Sequence, residues 1–384
     1  MIKLRGISWN HTRGILPMQA TAQRFSELHS DVEIHWEKRS LQQFEEFPIE
    51  KLAATYDLLV IDHPFIGYAA MHQIFLPLDD WLSPDVIADQ ERNSVGGSHA
   101  SYVWEDHLWA LAIDAAAPVA AWRPDLLATR GVAVPATWQE VLALAATGAV
   151  ETPAAPINCL MNFYGLCLAA GEAPFSHPTN VVGRDAGEWA FARLHELITS
   201  CPPDCVTHNP IQSLELLASS ANTTLAYCLF PYGYSNYARD GYADHALVFG
   251  DVPALEPGRP LPTTLGGTGL AISACSTHPQ LASDYAAFVA SERIQRTLYA
   301  HAGGQPGHRA AWLDAENNRR THDYFRATLP ALDRAFVRPR YGNYLHAFQE
   351  KAGLVVHRCV RGDLAPPSAL AELDALYVRS LSHS

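Results

Sequence analysis

Lysine is almost missing from this 384-residue chain: it occurs at Lys3, Lys38, Lys51 and Lys351 and nowhere else. Arginine therefore supplies nearly all of the positive charge, and the balance of 27 basic against 40 acidic residues leaves a net charge of −13. No basic run of useful length exists. A nucleic-acid partner is excluded on that ground, because phosphate binding needs a clustered positive field. No apolar run reaches the length needed to span a bilayer, so a membrane-spanning chain is excluded as well. A charged n-region, an apolar h-region and a small-residue cleavage site are also lacking, since Met1 leads at once into a strand-like Ile2–Trp9. As the sequence stands the expected location is cytoplasmic; it is periplasmic if a leader has been removed. Cysteine is present but without a framework. The seven residues (Cys159, Cys167, Cys201, Cys205, Cys228, Cys275, Cys359) are odd in number and irregular in spacing, which argues against a disulfide scaffold. Free thiols lean towards a reducing compartment. Cys201-Pro-Pro-Asp-Cys205 with His208 has the look of half a metal site, but no second Cys/His pair follows nearby, so incidental thiols are the better reading. No metal and no cofactor are expected.

What is present is a long chain with the composition of a globular protein, 48% hydrophobic and 17% charged. It is too long for one comfortable core, and two α/β lobes fit the size. Strand and helix alternate through the first hundred residues. Ile2–Trp9 reads as a strand, Pro17–Leu28 as a helix, Val32–Trp36 as a strand and Pro48–Tyr56 as a short helix. Asp57-Leu-Leu-Val-Ile-Asp62 is an uninterrupted apolar run, typical of a strand buried on both faces of a parallel sheet. Such alternation implies βαβ units with right-handed crossovers. The middle of the chain shows a helix at Trp138–Ala146, helical stretches at Gly187–Thr199 and after Pro210, and a strand at Thr223–Leu229. Gly266–Ser273 is a strand, with helices at Pro279–Ser291 and Ile294–Ala300 behind it, and the tail from about residue 322 is helical.

Four stretches carry a resemblance. Leu108–Leu142 orders a buried strand, Asp114, a second strand ending in Trp122-Arg123, a helix, Gly131-Val-Ala-Val-Pro135, and a helix opening on Thr137-Trp138. Phe75-Leu-Pro-Leu-Asp-Asp-Trp-Leu82, Gly266-Gly-Thr-Gly-Leu-Ala-Ile-Ser273 and the loop Gly303-Gly-Gln-Pro-Gly-His-Arg309 follow the same series. Taken in order, this resembles the family of extracellular solute-binding proteins that serve ABC importers, in its sugar-binding branch. The resemblance implies an α/β fold of the two-lobed periplasmic-binding-protein-like kind (type II), with a ligand cleft between lobes joined by crossover hinges. It places residues 1–112 with 267–321 in lobe 1 and 113–266 with 322–384 in lobe 2.

In open α/β sheets ligands bind beyond the carboxyl ends of strands, which directs attention to the loops there. Ser8-Trp-Asn-His-Thr-Arg-Gly14 puts Trp9, His11 and Arg13 just past the first strand, where the resemblance places a ligand-contact loop. Trp9 offers a stacking face, and Arg13 a bidentate hold on a carboxylate. Asp62 ends a buried strand next to His63; it either accepts ligand hydroxyls or caps the following helix, or does both. Asp114 lies at the crossover, near the ligand by resemblance, or else serves as a hinge residue bonding backbone amides. Tyr232-Gly-Tyr234-Ser-Asn236-Tyr237 suits an adaptable polar-aromatic surface. Gly266-Gly267-Thr268-Gly269 precedes a strand and opens no helix, which excludes a phosphate loop and favours close backbone approach. Gln305, His308 and Arg309 are candidates from the far rim, with Trp312 nearby. Arg338-Pro-Arg340 offers two guanidinium groups to an anion.

Two functions fit. The first is capture of a small polar ligand such as a sugar or polyol, by hinge closure, linked to ABC-type uptake; the expected partners are the ligand and an ABC permease, and the expected state is a monomer. The second is a cytoplasmic cleft enzyme or ligand sensor acting on a small carboxylate or hydroxy acid, with His11, His63 and Asp62 or Asp114 as an acid–base set. No nucleophile triad, paired-carboxylate site or metal motif supports catalysis, so the binding protein is the expectation.

Overall fold

The computed structural model describes residues 1–40 and 49–381. Pro48, the first residue of one expected helix, lies outside the described residues. The chain divides into two compact units. Unit 1 is Met1–Ala116, Gly266–Arg319 and Arg340–Gly342; unit 2 is Ala117–Leu265, Arg320–Pro339 and Asn343–Ser384. The strands of the two main sheets are β1 Ile2–Trp9, β2 Val32–Arg39, β3 Leu58–Ile61, β4 Leu111–Ala116, β5 Pro118–Trp122, β6 Val150–Glu151, β7 Tyr227–Tyr232, β8 Val248–Gly250 and β9 Gly266–Ile272.

The unit 1 sheet has the order β2-β1-β3-β9-β4. β1 runs parallel to β2 and β3, as βαβ alternation requires, whereas β9 is antiparallel to both β3 and β4. The sheet is thus mixed rather than wholly parallel, because β9 re-enters from unit 2 instead of through a crossover helix. β3 is fully buried along its length, in keeping with its unbroken apolar run. The helix behind β1 spans Thr12–Leu28, five residues longer at its start than the periodicity suggests. The His11 side chain sets that start: it accepts the Arg13 backbone N–H and caps the helix.

The unit 2 sheet has the order β8-β5-β7-β6, with β5 antiparallel to β8 and β7, and β6 parallel to β7. Two local devices set its element ends. Thr137 and Glu140 form a capping box that starts the helix Trp138–Ala145. The Asn222 carboxamide oxygen accepts the N–H groups of Thr224 and Leu225, drawing residues 222–225 into a turn and delaying β7 to Tyr227. The helix Pro156–Ala169 has no counterpart in the sequence reading. It is buried on nearly every face, so it lacks the polar stripe from which a helical period is read.

The first passage between units falls after Ala116 rather than at residue 113, because β4 continues through Asp114 to Ala116 in the unit 1 sheet. The tail also returns briefly to unit 1. There the Arg340 carbonyl lies against Gly67, and Gly342 lies against the Met71 sulfur, on the helix Ile66–Met71; a Cβ at either glycine would collide. No helix among the described residues is long and apolar enough to cross a membrane.

Candidate ligand-binding residues

In unit 1 the sequence candidates gather around the ends of β1, β4 and β9. Trp9 ends β1 with its ring on Gly14, where a Cβ would meet the indole, and is only 4% exposed. His11 spends its Nδ1 on the helix cap, 3.0 Å from the Arg13 nitrogen. Burial, seconded by the Arg13 charge, pushes its imidazole down to about 4. At neutral pH the ring is therefore uncharged, with its proton on Nε2, and does not serve as a general acid.

Arg13 does hold a carboxylate bidentately, and that carboxylate is Asp114. Nε donates to Oδ2 at 2.8 Å, and a second guanidinium nitrogen donates to Oδ1. Both side chains are sealed from solvent, at 4% and 0% exposure. Desolvation pushes the Asp114 carboxyl up, while the Arg13 charge and the Gln305 backbone N–H oppose it. The fork geometry and the double hydrogen bond are what make such a pair tolerable in a dry interior.

Asp114 is also clamped from both flanks. On one side Gly267 and Thr268 of β9 pair with Ala115 and Asp114. Gly267 adopts φ +105 and brings its backbone against the Asp114 carbonyl, a position closed to any other residue. On the other side Ala115 N–H donates to Gln305 O at 3.1 Å, and Gln305 Nε2 donates to Ala115 O at 2.7 Å. Gln305 is fully buried, so the expectation of a rim contact is corrected: its amide belongs to the backbone of β4. Thr268 differs from its neighbours. It faces Asp114 in register, is 6% exposed, and its hydroxyl has no hydrogen-bond partner among the described residues.

Asp62 caps the turn His63–Phe65, accepting the His63 N–H at 2.8 Å, with the His63 Nδ1 at 3.2 Å from the same oxygen. It keeps partial exposure, while His63 is buried edge-on to Tyr102. His308 is buried too: it caps the helix Arg309–Leu313 and sits 3.4 Å from Asp89. Trp312 is structural, donating its indole N–H to Pro306 O at 2.6 Å. Arg309 opens that helix, partly exposed.

In unit 2 the tyrosine-rich segment follows β7. Tyr232 is partly exposed, and its hydroxyl is 2.8 Å from Thr264 Oγ1. Tyr234 and Asn236 are buried, and Tyr237 donates to Glu215 at 2.7 Å. All of the motif but Tyr232 is therefore interior structure. Just before it, Phe230 adopts φ +64, which is unusual for a non-glycine residue and falls at the bulge between β5 and β7. Phe230 lines a crevice with Asn162, Met161, Pro118 and Thr263, of about 220 Å³ with its mouth and too narrow to admit water. Asn158, one helical turn before Asn162, is buried with its side-chain oxygen unpartnered among the described residues. Sequence reasoning passed over both; the available signal was two asparagines four apart in the otherwise apolar Pro156–Ala169.

In the thiol-rich segment of unit 2 the histidine is engaged by a carboxylate. His208 Nδ1 is 2.9 Å from buried Glu151, which also accepts from Ser213 at 3.0 Å. Cys205 is buried, and desolvation pushes its thiol up to about 12. No group of three or more His, Cys, Asp or Glu among the described residues is arranged to hold a metal.

Two sheet-centred α/β units with chain passages between them define the two-lobed class of periplasmic binding proteins. Comparison with known proteins agrees: residues 8–198 match the family model described as bacterial extracellular solute-binding protein, and over that span the chain belongs to this family. No curated protein sequence matches the chain. Among solved structures, T. maritima MalE3 with bound maltose is similar at TM-score 0.83 and 17% identity, covering 98% of this chain and 100% of that one. The GacH receptor of Streptomyces glaucescens, solved unliganded and with acarbose, is similar at TM-score 0.80 and 17% identity, covering 99% and 98%. An ABC-transporter solute-binding protein from Agrobacterium radiobacter K84 in complex with ribitol gives TM-score 0.78 and 18% identity, covering 97% of each chain. At these identities the structures speak for the fold. The family is one of solute-binding proteins, not of enzymes.

Proposed function

We propose that this protein captures a neutral, polyhydroxylated solute, a sugar or polyol, and delivers it to an ABC-type permease. The observation that carries the choice of ligand is the buried Arg13–Asp114 pair. A solute carboxylate would have to compete with Asp114 for the Nε–Nη2 fork of Arg13, and breaking the pair would strand a buried charge. What the floor of unit 1 offers is an unfilled hydroxyl at Thr268 and the partly exposed carboxylate of Asp62, groups that exchange hydrogen bonds with hydroxyls. Tyr232, partly exposed, offers an aromatic face in unit 2. The solutes bound by the structural relatives, maltose and ribitol, are of this class.

The acid–base alternative is not retained. His11 is a neutral helix cap, and Asp62 is taken up in capping the turn that carries His63. Location outside the cytoplasmic membrane follows from the same reading. Six of the seven thiols are buried and only Cys275 is exposed, so an oxidising compartment is no obstacle. Calorimetric titration with maltose, ribitol, mannitol and glucuronate tests the proposal. Saturable binding of at least one neutral member is expected, and it should weaken in Thr268→Val. Binding of the acid alone, through Arg13, would overturn it.

A further inference from the structure

Among the described residues Arg340 is a cation without an acid. Its Nε is closed to solvent and has no hydrogen-bond partner, and no ion pair or ring contact reaches its guanidinium among the described residues. The rest of the residue is only partly exposed. Other arginines of the chain show the usual solution: Arg13 rests on Asp114, Arg123 on Asp125 and Arg334 on Asp251. Burial lowers the Arg340 pKa with no opposing group. An arginine does not escape such a position by losing its proton, so the charge stays and calls for a counter-ion.

The position is built, and not a loop tip that happens to fold inward. The return segment Arg340–Gly342 is seated in unit 1 by two close approaches, the Arg340 carbonyl on Gly67, where backbone leaves no room for a Cβ, and Gly342 on the Met71 side chain. The backbone that carries the guanidinium is therefore fixed by packing on the helix Ile66–Met71.

We propose that Arg340 is an oxyanion-binding site of unit 1, taking a phosphate or carboxylate group by the paired N–H donors of its guanidinium fork. The proposal goes beyond the neutral-solute reading without resting on it. Its ligand is either a free inorganic anion or the acid group of a charged molecule.

Thermal unfolding of the full chain in sodium phosphate and in sodium chloride at matched ionic strength tests the site, with wild type and Arg340→Met side by side. Phosphate is expected to raise the wild-type Tm by about 2 °C or more, and this gain is expected to vanish in Arg340→Met. In chloride alone Arg340→Met should unfold at the same or a higher temperature, because it removes a half-buried unpaired charge. Equal phosphate gains in both proteins, no gain in wild type, or a lowered Tm or loss of folding for Arg340→Met in chloride would each overturn the proposal. Competition then identifies the source. Glucuronate displacing phosphate, with glucose inert, assigns the site to an acid group on an organic molecule; phosphate binding untouched by glucuronate assigns it to a free inorganic ion. Neutral-solute binding is read in a separate titration, so either idea can fail alone.

Discussion

Arg13 and Arg340 both lie in unit 1, and their surroundings are opposites. Arg13 is sealed and forked onto Asp114, while Arg340 is half-buried with no acid beside it among the described residues. The difference shows what each region is built to do. Around Asp114 several strong groups are satisfied within the protein: Arg13 by the carboxylate, Gln305 by the β4 backbone, His11 by the helix cap. The Thr268 hydroxyl has no hydrogen-bond partner among the described residues. A floor of that kind is rigid and neutral overall, and it discriminates by hydrogen bonds rather than by charge. At Arg340 the backbone is just as firmly fixed, but the charge is left open.

The contrast can be broken most severely at its paired end. Asp114→Ala leaves Arg13 buried without a counter-ion and is expected to cost about 3–5 kcal/mol in urea unfolding. The double variant Arg13→Met/Asp114→Leu should recover most of that loss, because an apolar replacement of similar volume removes both desolvation costs. A double variant as unstable as Asp114→Ala would mean that the pair is not what organises the floor.

Acid should strike next, through His11. Its pKa is held near 4 in the folded protein against 6.5 unfolded. The unfolded chain therefore binds the proton first, and this group's contribution is full above about pH 6.5 and lost as the pH falls towards 4. A loss of about 2–3 kcal/mol over that window is expected. His11→Asn keeps a capping oxygen without the titration and should flatten the profile; an unchanged slope in that variant would remove His11 from the account.

Gly267→Ala sharpens the comparison from the backbone side. It places a Cβ against the Asp114 carbonyl at φ +105 and is expected to cost about 1–3 kcal/mol, read as a lower urea midpoint. The smallest effect belongs to Thr268→Val. Stability should hold or rise slightly, since a buried unpartnered hydroxyl is removed, while solute affinity should drop roughly fivefold for one lost hydrogen bond. Unchanged affinity would separate Thr268 from the ligand.

Much of unit 1 can be read along the sequence, because its strands are short, apolar and separated by amphipathic helices, and Asp62 stands at a strand end where a cap is expected. Pairings are harder. Arg13 and Asp114 are 101 residues apart, and nothing local tells a guanidinium waiting for a ligand from one already paired. The mixed sheet direction is hidden for the same reason, since β9 reaches β4 after an excursion of some 150 residues through unit 2. In unit 2 the helix Pro156–Ala169 escapes notice by being buried all round, and with it Asn158 and Asn162. The return of Arg340–Gly342 to unit 1 depends on two glycine contacts that no periodicity announces.

Native mass spectrometry of the protein as purified, with identification of whatever small molecule is released, tests the central claim most directly. A stoichiometric sugar or polyol is the predicted result. A stoichiometric acid that is lost on mutation of Arg13 would contradict it.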